Sequence, residues 1–264
     1  MTAATDPFEI VAIRYARAER RRSAAFIGGD VHDGPQPMAY YVWLLRREGE
    51  AIVVDTGFDR ETAAVRRREF IRCPGETLAD LGVDPAMVRT VILTHLHHDH
   101  AGNHHLFPNA SFHVQAAEMA YATGPWMTHP SLRAGYGADD VKVMVDRLFQ
   151  DRIVFHEGRG RVAEGVDVVH IGGHCAGLQS VVVAAARGPV VLASDAAVLY
   201  EGFRDARPFP AAFHVGDELR GYRTLSALAA DEDAVIPGHD PLVMERFPVL
   251  IEGLAWRVDV EPLR

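Results

Sequence analysis

Thr90-Val91-Ile92-Leu93-Thr94-His95-Leu96-His97-His98-Asp99-His100 is the stretch on which the reading of this chain turns. Thr90 to Leu93 predict a short buried strand. The strand runs directly into a segment crowded with imidazole and carboxylate. Alternate side chains of an extended segment share a face, so His95 and His97 can converge on one ion. The chain must then turn, and Asp99 and His100 can point at a second ion beside the first. Imidazole and carboxylate are ligands for zinc and similar divalent cations at about 2.0–2.2 Å.

Three further candidate ligands follow predicted strands: His174 after Val166–Ile171, Asp195 after Val190–Ala193, and His239 after Ala234–Ile236. Each sits where a sheet presents its loops along one edge. The chain holds fourteen histidines, so each of the others is weighed against an ordinary role. His32, His113, His129, His156, His170 and His214 are read as surface or satisfied core residues. His104 and His105 are placed on the helix after the motif, exposed, and His98 is read as pointing away or supporting its neighbours.

The remaining pattern predicts a layered α/β protein. Phe8 to Tyr15 reads as an edge strand, and Ala39–Leu45 with Ala51–Asp55 as a hairpin. Helices are expected at 60–71, 78–81 and 217–230. Tyr121 to Gln150 reads as a helical insertion over one end of a sheet, because Val141, Met144, Val145, Leu148 and Phe149 recur at helical spacing. No linker or repeat interrupts residues 1–264, so a single domain is expected.

Hydrophobic residues make up 48% of the 264 and charged residues 24%, the balance of a soluble globular protein. The net charge of −9 disfavours a nucleic-acid partner. The basic runs Arg20-Arg21-Arg22 and Arg66-Arg67-Arg68 lie among helix formers and are read as solvated helix faces. Cys73 and Cys175 cannot form a disulfide framework. Met1 to Ile10 has no apolar core of a secretory signal, and no stretch approaches the ~20 apolar residues of a membrane span. A cytoplasmic protein with no membrane partner is the expectation.

The motif His95-Leu96-His97-His98-Asp99-His100 resembles the HxHxDH signature of the metallo-β-lactamase superfamily. Asp55-Thr56-Gly57, Gly173-His174, Ser194-Asp195 and Gly238-His239 follow in that family's order. The resemblance implies a four-layer αβ/βα sandwich with a dinuclear site for two divalent metal ions, zinc being the first candidate. It implies that His95, His97 and His174 hold one ion, and Asp99, His100 and His239 the other. Asp195 would bridge the two, and Asp55 would orient the ligands.

Such a site makes hydroxide at neutral pH and polarises an acyl or phosphoryl oxygen, so hydrolysis through a metal-bound hydroxide is expected. Asp99 is the candidate proton shuttle, with the Tyr200 phenol a second candidate, and the catalytic set is Asp99, Asp195 and Tyr200. Within the superfamily the chain is most similar to the N-acyl-homoserine lactonase branch, the quorum-quenching enzymes. The likeness lies in His97 to Asn103, Gly173-His174 with Gly177 and Gln179-Ser180, Ser194-Asp195-Ala196 and Gly238-His239-Asp240. It departs from that branch at Val198, where a tyrosine is usual, and at Cys175-Ala176-Gly177-Leu178. A lactone or small ester is therefore the expected substrate, with a cyclic amide, a thioester or a phosphodiester as alternatives. Trp126, Met127, Tyr136, Phe149, Phe203, Phe209 and Phe213 are candidate walls of its pocket. The sequence does not give the oligomeric state; the resemblance allows a homodimer, since dimers are frequent among similar proteins.

Overall fold

A computed structural model describes residues 6–263. Residues 1–5 and 264 lie outside it, and with them the first half of the Met1–Ile10 stretch. Strand β1 (Glu9–Arg21) is followed by β2 (Pro35–Arg47), β3 (Glu50–Val54), β4 (Glu69–Phe70), β5 (Thr90–Ile92), β6 (Ser111–Gln115) and β7 (Ile153–His156). With β13 (Val249–Ile251) and β14 (Ala255–Arg257) these form one sheet, ordered β13-β14-β1-β2-β3-β5-β6-β7, with β4 against β1. A second sheet runs β12 (Val235–Pro237), β11 (Gly188–Ser194), β10 (Gln179–Ala185), β9 (Val166–His170) and β8 (Arg159–Ala163).

Period-two alternation explains why the sheets stack. On β2, Ala39, Tyr41, Trp43 and Leu45 join one apolar cluster with Val181, Val183, Val190 and Leu192 of the second sheet. Tyr40, Val42 and Leu44 point the other way, into a cluster that takes in Ala63 and Leu78 from the helices Arg60–Arg66 and Pro74–Asp80. On β11 the same split sends Val190 and Leu192 between the sheets and Val191 and Ala193 toward Leu225 of the helix Val215–Leu228. Helices, sheet, sheet and helices make four layers.

Pairing direction sets where the loops fall. β3 and β5 are parallel, with Val53 opposite Val91, so Asp55 and His95 leave the sheet at the same edge. β11 is parallel to β12 and antiparallel to β10, which is antiparallel to β9, so His174, Asp195 and His239 emerge together from the other sheet.

Several expectations change. β1 is internal, flanked by β14 and β2, because its second neighbour comes from the far end of the chain. The helix expected over 60–71 stops at Arg66, where Arg67 takes a left-handed φ of 55°, and Glu69–Phe70 pairs with β1. Residues 121–150 hold the end of the helix Ala116–Ala122, the short helix Pro130–Arg133 and the amphipathic helix Ala138–Phe149. No helix among the described residues is long and apolar enough to cross a membrane.

Candidate metal centre

The loop after β3 is built to hold the motif loop after β5. Thr94 donates to the Asp55 carboxylate from its backbone N–H (2.8 Å) and its hydroxyl (2.9 Å), and His100 Nδ1 donates to Asp55 Oδ2 at 2.7 Å. Thr56 donates from its N–H to the His100 carbonyl, Gly102 N donates to the Gly57 carbonyl, and Tyr15 donates to the Asp99 carbonyl at 2.7 Å. Asp55 itself holds a left-handed φ of 62°, a conformation Asp tolerates better than most residues. Gly238 is required by closeness: a Cβ there would lie 2.7 Å from the Ser194 carbonyl carbon, just before Asp195.

The folded chain brings all seven candidate ligands together in two groups. One is His95, His97, His174 and Asp195; the other is Asp99, His100 and His239, the ligand atoms of each lying within 4.8 Å of one another. Asp195 faces both. Its Oδ2 is 3.1 Å from His174 Nε2, while its Oδ1 is 3.0 Å from His239 Nε2 and 3.4 Å from His100 Nε2. His174 Nε2 is also 3.0 Å from His97 Nδ1. Ligand atoms about 2.0–2.2 Å from a tetrahedral cation stand about 3.4 Å apart, so these spacings suit a shared ion.

Tautomers and orphaned atoms test the fit. A carboxylate and a carbonyl can only accept, so Asp55 fixes the proton of His100 on Nδ1, and the Ala39 carbonyl, 2.9 Å away, does the same for His239. Both rings then turn a bare Nε2 toward Asp99 and Asp195. His95 Nε2, His100 Nε2 and Asp195 Oδ1 are buried without a hydrogen-bond partner, a costly arrangement unless something else coordinates there. Burial holds His95, His97 and His174 below the usual imidazole range, which keeps them neutral. Burial would raise Asp195 and Asp99, but the surrounding histidines outweigh it and hold both carboxyls below their usual range. Burial would likewise lower His100, yet Asp55, Asp99 and Asp195 hold it well above the usual imidazole value. Neutral imidazoles, ionised carboxylates and a spot where three carboxylates favour positive charge are the donor chemistry of a divalent-cation pair.

A family model described as the metallo-beta-lactamase superfamily matches residues 35–239. The chain belongs to the metallo-β-lactamase superfamily. It is 34% identical over 188 residues to N-acyl homoserine lactonase AttM of Azorhizobium caulinodans, which is 66% of each chain. It is 28% identical over 216 residues to an N-acyl homoserine lactonase of a Bacillus species, covering 76% of this chain and 80% of that one. The chain thus spans about two thirds of the AttM relative, 66% of its length, and 64% of the one from Rhizobium johnstonii. The solved structure of a quorum-quenching N-acyl homoserine lactone lactonase superposes with a TM-score of 0.74 at 25% identity, covering 90% of this chain and 94% of that one.

The metallo-β-lactamase floor of His97, Asp99, His174, Asp195 and His239 opens into a cavity of about 430 Å³. Of the residues expected on its wall, Phe209 and Phe213 line it. Phe149 does not; it is 85% exposed at the end of its helix. Phe203 is core, Trp126 packs on Phe213 from outside the lining, and Tyr136 stands behind His97 with its hydroxyl bound to Glu118. Met127 packs against the core.

Tyr200 needs a correction. Its side chain is buried in the apolar layer between the sheets, its ring under the guanidinium groups of Arg246 (4.8 Å) and Arg204 (5.1 Å), and it is absent from the cavity lining. Tyr200 begins a helix five residues beyond Asp195, and its ring packs with the residues between the sheets. Tyr40 is the tyrosine that does line the cavity near the second cluster, its ring 4.9 Å from that of His239.

The structure also shows residues the sequence reading missed. Glu118 is fully buried; its Oε1 accepts from Leu96 N (3.0 Å) and Tyr136 Oη (2.8 Å), and its Oε2 from Gly177 N (3.0 Å). One carboxylate therefore ties the motif loop to the loop that carries His174. Nothing in the sequence around Glu118 marks it, since its three partners lie 18 to 59 positions away. His104, expected on the surface, is buried against Phe112. His98 does point away, stacked on Phe58 with its Nδ1 on the Gly135 carbonyl.

Proposed function

We propose that this chain is a dinuclear metal-dependent hydrolase that opens a lactone ring or a related small ester. The observation that supports it is the pair of imidazole–carboxylate clusters, spanned by Asp195, at the floor of a cavity sized for a small molecule. His95, His97 and His174 would hold one cation and Asp99, His100 and His239 the other, with Asp195 facing both. Zinc is the first candidate for this donor set. Two divalent cations, when bound, supply a water that ionises near pH 7 and a Lewis acid for an ester carbonyl.

The chain's own groups do the rest. Asp55 and the Ala39 carbonyl fix the tautomers of His100 and His239, so no reorientation is needed when substrate arrives. Asp99 lies on the cavity floor with its carboxyl held ionised, placed to take a proton from the attacking water and return it to the leaving alkoxide. Water oxygen bonds to the acyl carbon, the ring C–O bond breaks, and the product carries a carboxylate and a hydroxyl. Phe209 and Phe213 keep bulk water from the reacting ester. The lactonase names of the AttM and Bacillus relatives favour a lactone over an amide, a thioester or a phosphodiester.

The test is a hydrolysis panel of lactones, thioesters, cyclic amides and bis-p-nitrophenyl phosphate on protein of measured metal content. Lactones should be turned over and the phosphodiester should not. Phosphodiester turnover without any lactone turnover would replace this reading with a phosphodiesterase.

A further inference from the structure

The two basic runs are not the solvated helix faces the sequence suggests. Arg20, near the end of β1, and Arg66 and Arg68, at and beyond the end of a helix, all line the cavity above the clusters. All three are partly buried. The chain carries a net charge of −9, and several neighbouring arginines find acids, Arg17 with Glu69, Arg21 with Asp33, Arg22 with Asp30 and Glu201, and Arg72 with Glu76 and Asp80, whereas the exposed Arg60 and Arg67 form no ion pair among the described residues. No ion pair among the described residues engages Arg20, Arg66 or Arg68. Among the described residues, the carboxylates on the cavity lining are Asp99 and Asp195, both committed to the clusters.

The three guanidiniums are held in place without being neutralised. Arg20 lies over the Phe209 ring (5.5 Å) and Arg68 over the Tyr40 ring (5.9 Å). Arg68 Nη1 donates to the Arg66 carbonyl, while its Nε is buried with no partner. Arg66 spends two donors on the carbonyls of Ala134 and Tyr136, closing the loop that covers His97 and His98. Burying unneutralised guanidinium groups is costly unless something anionic completes them. Tyr40 connects the two regions, since its ring touches both Arg68 and His239.

We propose that the substrate carries, beside its lactone or ester, a second and anionic group, a carboxylate or phosphate, which Arg20 and Arg68 bind while the scissile carbonyl sits over the clusters. This rests on the hydrolase reading and names its substrate class. A purely apolar acyl arm would leave both guanidiniums uncompensated against Met38, Phe209 and Phe213. A planar fork of donors suits either anion. The net charge of −9 disfavours an anion overall, and the three guanidinium groups on the lining would offset that locally.

The experiment compares three γ-lactones with side arms of equal length, ending in a carboxylate, a phosphate monoester or a neutral amide, on metal-replete protein. At least one anionic lactone should exceed the neutral one in kcat/KM by roughly tenfold or more, mainly through KM, and the ratio should shrink as salt is raised. In Arg20→Gln and Arg68→Gln the anionic-to-neutral ratio should collapse toward one. Equal turnover of all three by the wild type, or a ratio that survives both substitutions, overturns the proposal. Failure to open any of the three lactones at full metal content counts instead against the hydrolase reading on which it rests.

Discussion

At the scale of single residues, the site is a set of side chains whose partners leave them one free direction. Asp55 shows this best, because it touches neither cluster's cavity yet fixes the ring of His100 from behind. Asp55→Asn should lower affinity for the second ion by about 10- to 100-fold with the fold retained, read by chelator competition, since such supporting partners carry that much of a metal site. Tyr200→Phe should leave turnover unchanged, because the phenol lies between the sheets. A large fall in kcat with metal content intact would return Tyr200 to the chemistry. The seven candidate ligands were legible from residue type and their place after apolar strands; Tyr200 was misread because five positions beyond Asp195 says nothing about which way a helix start turns.

At the scale of elements, β5 and the β2–β3 hairpin could be read directly, since dense apolar runs bounded by charged turns have few other solutions. β8, Arg159-Gly160-Arg161-Val162-Ala163, escaped because its side chains are mostly polar or small, and only pairing with β9 makes it a strand. β1 looked like an edge because β14, its second neighbour, arrives from more than 230 positions downstream; Val11 pairs with Arg257. The arginine runs were misplaced for a related reason. Helix-forming composition does not reveal that Arg67 ends the helix in a left-handed turn, which directs Arg68 to the cavity wall. Glu118 is where elements are joined, and Glu118→Gln should test the joint. An amide nitrogen would face either Gly177 N or Leu96 N, donor against donor. The expected cost is about 1–3 kcal/mol in chemical denaturation, together with weaker metal retention. Unchanged stability and metal retention would show that the two loops hold without it.

At the scale of the whole molecule, four layers leave room for buried histidines that must stay neutral. Burial lowers His104 from 6.5 to about 4, and His113, beside His156, moves the same way to about 4. Folded His104 thus resists a proton that the unfolded chain accepts, so this stability is present above pH 6.5 and is lost as pH falls toward 4. Its share of that loss is on the order of 3 kcal/mol. His104→Leu should flatten the stability-versus-pH curve across that window in urea melts; an identical slope would mean the ring is not a buried neutral group. The net charge of −9 belongs to this scale as well, because against it three arginines without an acid partner gather on one cavity lining, the feature from which an anionic substrate is proposed.

The central claim is that two sheets deliver seven side chains to a pair of cations. Mass-spectrometric counting of divalent ions in the reconstituted, desalted protein tests it most directly. The geometry predicts two ions per chain, falling in Asp195→Ala, which removes the one carboxylate facing both clusters. A wild type that retains only trace metal, or an Asp195→Ala protein that keeps both ions, would contradict it.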